Sequence, residues 1–354
     1  MATQHPSALR KVPRWLETEI PSRRQLLAAI QCPFPLRINA HVEAAEQASL
    51  EWLLRLGLAS NAQQQARVSK AHLSTLVAGF YPNSGLEQLK LASDYVCWAF
   101  ALDDIGDETE VGERPARLME LFEGFEHVLQ GRNPGASAGP LERGLHEVVQ
   151  RVSNFTTAEQ MEEFLQGNRA YFGGMLWEAN NRAHSQVPDE TAYLTFRPAA
   201  GAVPSFFSLI EPFESIVLAP HVRAHDDVQN LSRLAGGIIC WINDVLSYEK
   251  ERLHGDFHNL VMVYEHHRQL LPGVAALQAI AFVNSGIRDF VTASAKLPSF
   301  GQTQDEELKR YLETLRAVIR VTLSWTYDST RYHEAAVESL ADPAGLVPTS
   351  APGS

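Results

Sequence analysis

Residues 307–332 read ELKRYLETLRAVIRVTLSWTYDSTRY, and within them Leu308, Leu312, Leu315, Ile319, Thr322 and Thr326 recur at steps of 4, 3, 4, 3 and 4. That spacing puts six side chains on one face of a single long helix. Residues 41–58 place Val42, Ala45, Leu50, Leu53, Leu54 and Leu56 loosely at three- and four-residue steps before Gly57. No period-two alternation runs long enough between turn signals to make a sheet. Residues 215–218 are rich in β-formers, but the run is short and Pro220 closes it. The pattern predicts an all-α chain.

Length alone, 354 residues, suggests about two domains. Residues 132–140, RNPGASAGP, are a loop by composition, yet helical pattern of the same character resumes on both sides. A single helical domain over 31–340 is therefore expected. Residues 1–30, with Pro6, Pro13 and Pro21, read as an N-terminal arm holding a short helix at most, and residues 341–354 as a disordered tail.

Charge narrows the function. Thirty Lys+Arg against 42 Asp+Glu leave a net charge of -12, which argues against nucleic-acid or anionic-membrane binding because both need a basic footprint. An anionic small molecule remains compatible if a metal supplies positive charge. Cys32, Cys97 and Cys240 are odd in number and far apart, as expected for free thiols in a reducing compartment. Unbroken apolar runs such as 95–102 and 235–242 are far shorter than the roughly 18 residues of a membrane span. The first residues show no apolar signal region, so a cytoplasmic protein is expected.

Two constellations carry chemistry. The first is ALDDIGDE, residues 101–108, in which Asp103, Asp104 and Asp107 follow a very apolar run. On a helix Asp103 and Asp107 share a face, roughly 6 Å apart in rise. Carboxylates at a helix C-terminus oppose the macrodipole and repel one another, so something must compensate them. A divalent cation would do so, and Mg²⁺ is the hard, oxygen-seeking choice that also shares phosphate ligands. The plain alternative is a solvated acidic helix end. The second constellation is AGGIICWINDVLSYEKE, residues 235–251, where Asn243, Ser247 and Glu251 stand at i, i+4 and i+8. They form one stripe spanning roughly 12 Å. Because helical side chains tilt toward the N-terminus, the long Glu251 can lean back toward its partners, and three oxygen donors can converge on one ion.

Together, DDIGD and NDVLSYEKE closely resemble the aspartate-rich motif and the NSE triad of class I terpene synthases, microbial sesquiterpene cyclases among them. The resemblance runs from about residue 33 to residue 332. It implies the class I terpenoid synthase fold, a single helical bundle around a central active-site cavity. Asp103, Asp104, Asp107, Asn243, Ser247 and Glu251 would hold three Mg²⁺ ions that bind an isoprenyl diphosphate. Arg197 stands where microbial members carry a diphosphate-sensing arginine, and Gly201 at the effector glycine. Arg331 and Tyr332 match the C-terminal RY pair that binds diphosphate on closure, and Lys250 a further diphosphate-binding lysine. Ala200 departs from the pattern, standing where relatives often have an acidic or polar linker. The implied activity is ionisation and cyclisation of farnesyl diphosphate to a sesquiterpene hydrocarbon or alcohol, with homodimerisation a further family expectation.

The cation formed needs a dry, π-rich cavity, for which Phe80, Tyr95, Trp98, Phe100, Phe206, Trp241 and Trp325 are candidates, each also explicable as core. Arg23-Arg24 belongs either to an arm that covers the site or to exposed surface. Rival readings are a chain-elongating isoprenyl diphosphate synthase, disfavoured by NDVLSYEKE where a second aspartate-rich motif would stand, and a non-catalytic helical binding protein. Gly135–Gly139 fits G-x-S-x-G but lacks the strand and helix of a nucleophile elbow. Asp226-Asp227 reads as helix N-cap material, and His254 and His258 as residues of a loop rather than a zinc site.

Overall fold

The computed structural model describes residues 20–59, 61–108 and 110–332; the side chains of Gln63, Asp107 and Glu108 lie outside that description. The expected tail at 341–354, and residues 1–19 of the expected arm, lie outside the described residues. Among those described there are helices and no strand. The chain opens with α1 (Arg23–Ala29), α2 (Val42–Leu56), α3 (Ala62–Ala71), α4 (Leu73–Phe80) and α5 (Leu86–Glu108). After a 3-10 turn at Glu110–Glu113 come α6 (Pro115–Leu129), α7 (Pro140–Val152), α8 (Ala158–Ala183), α9 (Glu190–Ala200) and α10 (Val203–Ser208). The short α11 (Ile210–Glu214) and α12 (Pro220–Arg223) lead to α13 (Asp226–His254), α14 (Leu260–Arg268), α15 (Pro272–Ser294) and α16 (Gln302–Asp328), closed by a 3-10 turn at Thr330–Tyr332.

The boundaries follow from local chemistry. Gly57 and Gly255 end α2 and α13 at φ 78°, the left-handed geometry that glycine adopts without a Cβ penalty. Pro115, Pro140, Pro220 and Pro272 sit in the first turns of their helices, where a missing N–H costs nothing. Thr157 with Gln160 closes a capping box on α8. Asp226 and Asp227 lie inside the first turn of α13; the cap itself is His225, whose ring accepts from Asp227 N. The acids favour the positive end of the helix from within rather than capping it. Residues 132–139 form the expected loop and Gly139 is the N-cap of α7, so no elbow exists there.

The six periodic residues of 307–332 are all buried along α16. This helix packs on α13 and α4; α13 packs in addition on α15, α14 and α9, and α5 on α2, α4 and α7. The two helices that carry the acidic motifs, α5 and α13, are therefore core helices with little exposed surface along their middles. α15 is long and apolar enough to cross a membrane, and Ala276, Ala279, Val283, Ile287 and Phe290 bury one face of it against the bundle. Helix α1, within the expected arm, inserts Leu26 into the same core, and Ile30 follows it there just after the helix ends.

Two glycines let the break between α9 and α10 reach the cavity. A Cβ on Gly174 of α8 would stand 2.4 Å from the backbone N of Ala200, and one on Gly167 2.6 Å from Ser205 Cα. Backbone offers no rotamer escape, so Gly174→Ala is expected to cost about 1–3 kcal/mol in a urea melt by overpacking. An unchanged midpoint would show that this close approach does not exist in solution.

Candidate active site

Helices α4, α5, α8, α9, α10, α13 and α16 surround a cavity of about 170 Å³. Along α5 the lining residues are Val96, Ala99, Phe100 and Asp103; along α13 they are Ile239, Cys240, Asn243, Lys250 and Glu251. Each helix thus turns apolar side chains to the interior of the cavity and oxygen donors to its mouth. Arg197, Gly201, Arg331 and Tyr332 complete that mouth.

The acids of α5 do meet a compensating charge. Arg331 Nη2 donates to Asp103 Oδ2 at 3.1 Å and lies 2.6 Å from Asp104 Oδ1, while its guanidinium stacks 4.7 Å from the centroid of Phe100. Burial would lower the Arg331 pKa, but Asp104 and Asp103 together raise it well above its ordinary value. Asp104 is fully buried and does not line the cavity, whereas Asp103 does. Asp107 lies on the same helix, its side chain outside the described residues.

Across the mouth, Asn243 joins two of the predicted diphosphate ligands. Its Oδ1 accepts from Arg197 Nη2 at 3.1 Å, and its Nδ2 donates to the Tyr332 hydroxyl at 3.0 Å. Burial pushes the Tyr332 phenol up to about 12, so it stays protonated. Lys250 Nζ stands 6.0 Å from the centroid of the Tyr332 ring. The C-terminal turn therefore bridges the two motif helices, with Arg331 on α5 and Tyr332 on α13.

Arg197 is held by a residue that sequence reasoning passed over. Fully buried Asp244 accepts from Arg197 Nε at 2.9 Å, from the Tyr193 hydroxyl at 2.6 Å and from Leu260 N at 3.3 Å. Burial raises the Asp244 carboxyl, and Arg197 with Tyr193 pulls it back. Its only sequence signal is position, an acid beside Asn243 directly after the apolar run 235–242. At Gly201 a Cβ would stand 3.2 Å from Arg197 Nη1 and 3.3 Å from Cys240 Sγ, so a larger residue there would press on the guanidinium. A second unpredicted group braces the mouth. Arg182 donates to Gly106 O at 3.1 Å and to Asp256 Oδ2 at 3.2 Å, tying the end of α5 to the loop after α13. In that loop His258 is buried, its Nδ1 2.9 Å from Asp256 Oδ1.

The donor set suits a hard divalent cation. Ser247 is fully buried and its Oγ has no hydrogen-bond partner, one helical turn from both Asn243 and Glu251. An orphaned hydroxyl of this kind costs free energy unless something coordinates it. Burial, then the charges of Asp244 and Asp256, push the Glu251 carboxyl up to about 8, so its ionised form needs a cation beside it. Among the described residues no three His, Cys, Asp or Glu converge. The oxygen donors offered along this stripe of α13 are the mixed set Asn243, Ser247 and Glu251, of which Asn243 and Glu251 line the cavity, a set that would fit Mg²⁺ better than softer metals.

Of the seven candidate aromatics, Phe80, Phe100, Phe206 and Trp325 line the cavity, joined by the unpredicted Tyr171. Tyr95, Trp98 and Trp241 do not. Tyr95 and Trp98 stack on each other at 5.8 Å on another face of α5, with Tyr95 bonded to Asn168 and Ser205 and Trp98 to Leu141 O. Trp241 packs against Phe282 of α15 at 4.5 Å.

Residues 94–291 match the profile of terpene synthase family 2, C-terminal metal binding. The chain is similar to (+)-T-muurolol synthase ((2E,6E)-farnesyl diphosphate cyclizing) of Roseiflexus castenholzii, with 33% identity over 86% of this chain and 93% of that protein. It is 30% identical to germacrene A synthase of Nostoc punctiforme over 87% of this chain and 95% of the relative. Among solved structures, germacradien-4-ol synthase from Streptomyces citricolor superimposes with a TM-score of 0.73 at 26% identity, covering 84% of this chain and 97% of that one. A helical bundle whose two oxygen-rich motifs meet at the mouth of an aromatic cavity, in a chain this similar along most of its length to known cyclases, belongs to the class I terpene synthase family.

Proposed function

We propose that the chain converts farnesyl diphosphate to a cyclic sesquiterpene, hydrocarbon or alcohol, with release of diphosphate in a Mg²⁺-dependent reaction. The observation that carries this reading is the convergence of Arg197, Lys250, Arg331, Asp103, Asn243 and Glu251 on one end of a cavity whose other walls are apolar and aromatic. A relative named for cyclising (2E,6E)-farnesyl diphosphate supports the C15 chain length.

Asp103 with Asp107 on α5, and Asn243, Ser247 and Glu251 on α13, would hold the three expected Mg²⁺ ions. Bound there, they supply Lewis-acid stabilisation of the charge that develops on the departing diphosphate. Asp104 serves instead as the buried partner of Arg331. Arg197, Lys250 and Arg331 donate to diphosphate oxygens, and Tyr332 adds a hydroxyl, so the negative charge meets fixed donors in a poorly hydrated site. Diphosphate can draw Arg331 off the carboxylates of α5 because it offers a denser charge to the same fork. The apolar walls exclude water from the allylic cation. The faces of Phe80, Phe100, Tyr171, Phe206 and Trp325 each offer about 0.5–2 kcal/mol to a desolvated positive charge.

The test is incubation of the purified protein with the C10, C15 and C20 diphosphates, with Mg²⁺ or with chelator, followed by gas chromatography and mass spectrometry. A cyclic C15 product that disappears with chelator is expected. A lengthened prenyl diphosphate on adding isopentenyl diphosphate, or no conversion of any of the three, would overturn the proposal.

A further inference from the structure

Arg23 stands in the first turn of α1, far in sequence from every motif above, yet its guanidinium ends beside the site. Nη2 donates to Thr326 O at 2.7 Å and to Tyr327 O at 2.9 Å, and Nη1 donates to Tyr332 O. The guanidinium carbon also lies 5.7 Å from the centroid of the Tyr327 ring. These carbonyls belong to the last turn of α16 and to the turn that follows it, where backbone acceptors lack intrahelical partners and the dipole favours a cation. A planar fork of five donors can serve all three at once.

The anchoring is directional. Tyr332 is gripped at its carbonyl by Arg23 and at its hydroxyl by Asn243, and Arg331 beside it is paired with Asp103 and Asp104. On the other side, α1 is fixed by the Ser22–Gln25 capping box and by Leu26, buried in the core. Ser329 and Thr330 also tie the turn to α3, donating to Ala71 O at 3.1 Å and Lys70 O at 3.0 Å, so Arg23 supplies the hold on its Tyr332 end from the N-terminal helix. We propose that Arg23 is a positioning residue for the reaction: through it, α1 latches the C-terminal turn across the mouth so that Arg331 and Tyr332 face the diphosphate. The adjacent Arg24 is exposed and has no such role. The inference rests on Arg331 and Tyr332 being diphosphate ligands.

Four forms of the full chain test it: wild type, Arg23→Gln, Arg23→Lys and Arg24→Gln. Steady-state kinetics with farnesyl diphosphate and Mg²⁺ would be run beside product analysis and amide hydrogen exchange. For Arg23→Gln, KM should rise about tenfold, as expected for losing charge-assisted hydrogen bonds, and acyclic alcohol should increase as water enters a mouth held less firmly. Exchange should speed up at residues 326–332 while the middle of α13 keeps its protection. Arg23→Lys should recover only part of the loss because an ammonium cannot fork to three carbonyls, and Arg24→Gln should match wild type. Wild-type KM and product ratio in Arg23→Gln, with or without a lower melting temperature, would overturn the proposal and leave Arg23 a structural contact. A wild type that converts no farnesyl diphosphate would instead bring down the reading of the site, and this role with it.

Discussion

Asn243→Ala is expected to lower kcat/KM for the isoprenyl diphosphate by between about 100- and 1,000-fold while the protein stays helical and folded. The size follows from what one side chain joins: Arg197 through Oδ1, Tyr332 through Nδ2, and the cation expected beside Ser247 and Glu251. Removing a single preorganised donor from a charge-stabilising site costs about that much, and here a metal ligand goes with it. Stability should change little, because Asn243 is only part-buried and alanine is the better helix former. Asp103→Ala should behave alike, since it removes the cavity-facing carboxylate of α5 and leaves Asp104 to pair with Arg331. Circular dichroism would separate the outcomes. Loss of helix in either variant would mean that these positions hold the fold together rather than the substrate.

Much of this site can be read from the sequence because helix geometry fixes what lies within one turn. Asn243, Ser247 and Glu251 had to share a stripe, and an acidic C-terminus on α5 had to find a positive charge. The structure gives that charge a form the spacing could not, the guanidinium of Arg331 across 228 residues of chain. The same limit hid Asp244. Its neighbour Asn243 faces the cavity, so Asp244 faces α9, and no local pattern records that Arg197 waits there.

Three of the seven aromatic candidates, Tyr95, Trp98 and Trp241, miss the cavity for a different reason. α5 is apolar on every side between 95 and 102, so periodicity alone gives it no phase. Asp103 supplies one: stepping back by three, four and seven reaches Phe100, Ala99 and Val96, which line the cavity, and passes over Tyr95 and Trp98. Steps of three and four back from Asn243 reach Cys240 and Ile239 and omit Trp241. The information was present, but it lay in the polar residues and not in the aromatics themselves. Arg23 is the opposite case. Nothing near it in sequence identifies a partner, because its acceptors are backbone carbonyls that every residue carries.

Asp244→Ala is expected to cost both stability and rate, and the way the two separate is informative. The carboxylate is fully buried and faces the Arg197 guanidinium at 2.9 Å and the Tyr193 hydroxyl at 2.6 Å. Deleting one partner of a buried pair leaves the other charged, desolvated and unmatched, at about 3–5 kcal/mol. Urea unfolding should register a loss of that order. Turnover should fall as well, because Arg197 would lose its anchor and swing from the mouth. Asp244→Asn keeps the shape and can still accept hydrogen bonds, so it should lose less of both. In Asp244→Ala/Arg197→Met the unmatched charge is gone, and removing both partners of a buried pair is often close to neutral for stability. That double variant should recover much of the stability and none of the activity, because the diphosphate then lacks the guanidinium itself. If Asp244→Ala unfolds at the wild-type midpoint, the pair is not buried in solution. If the double variant regains activity, Arg197 is a structural partner of Asp244 and not a ligand of the substrate.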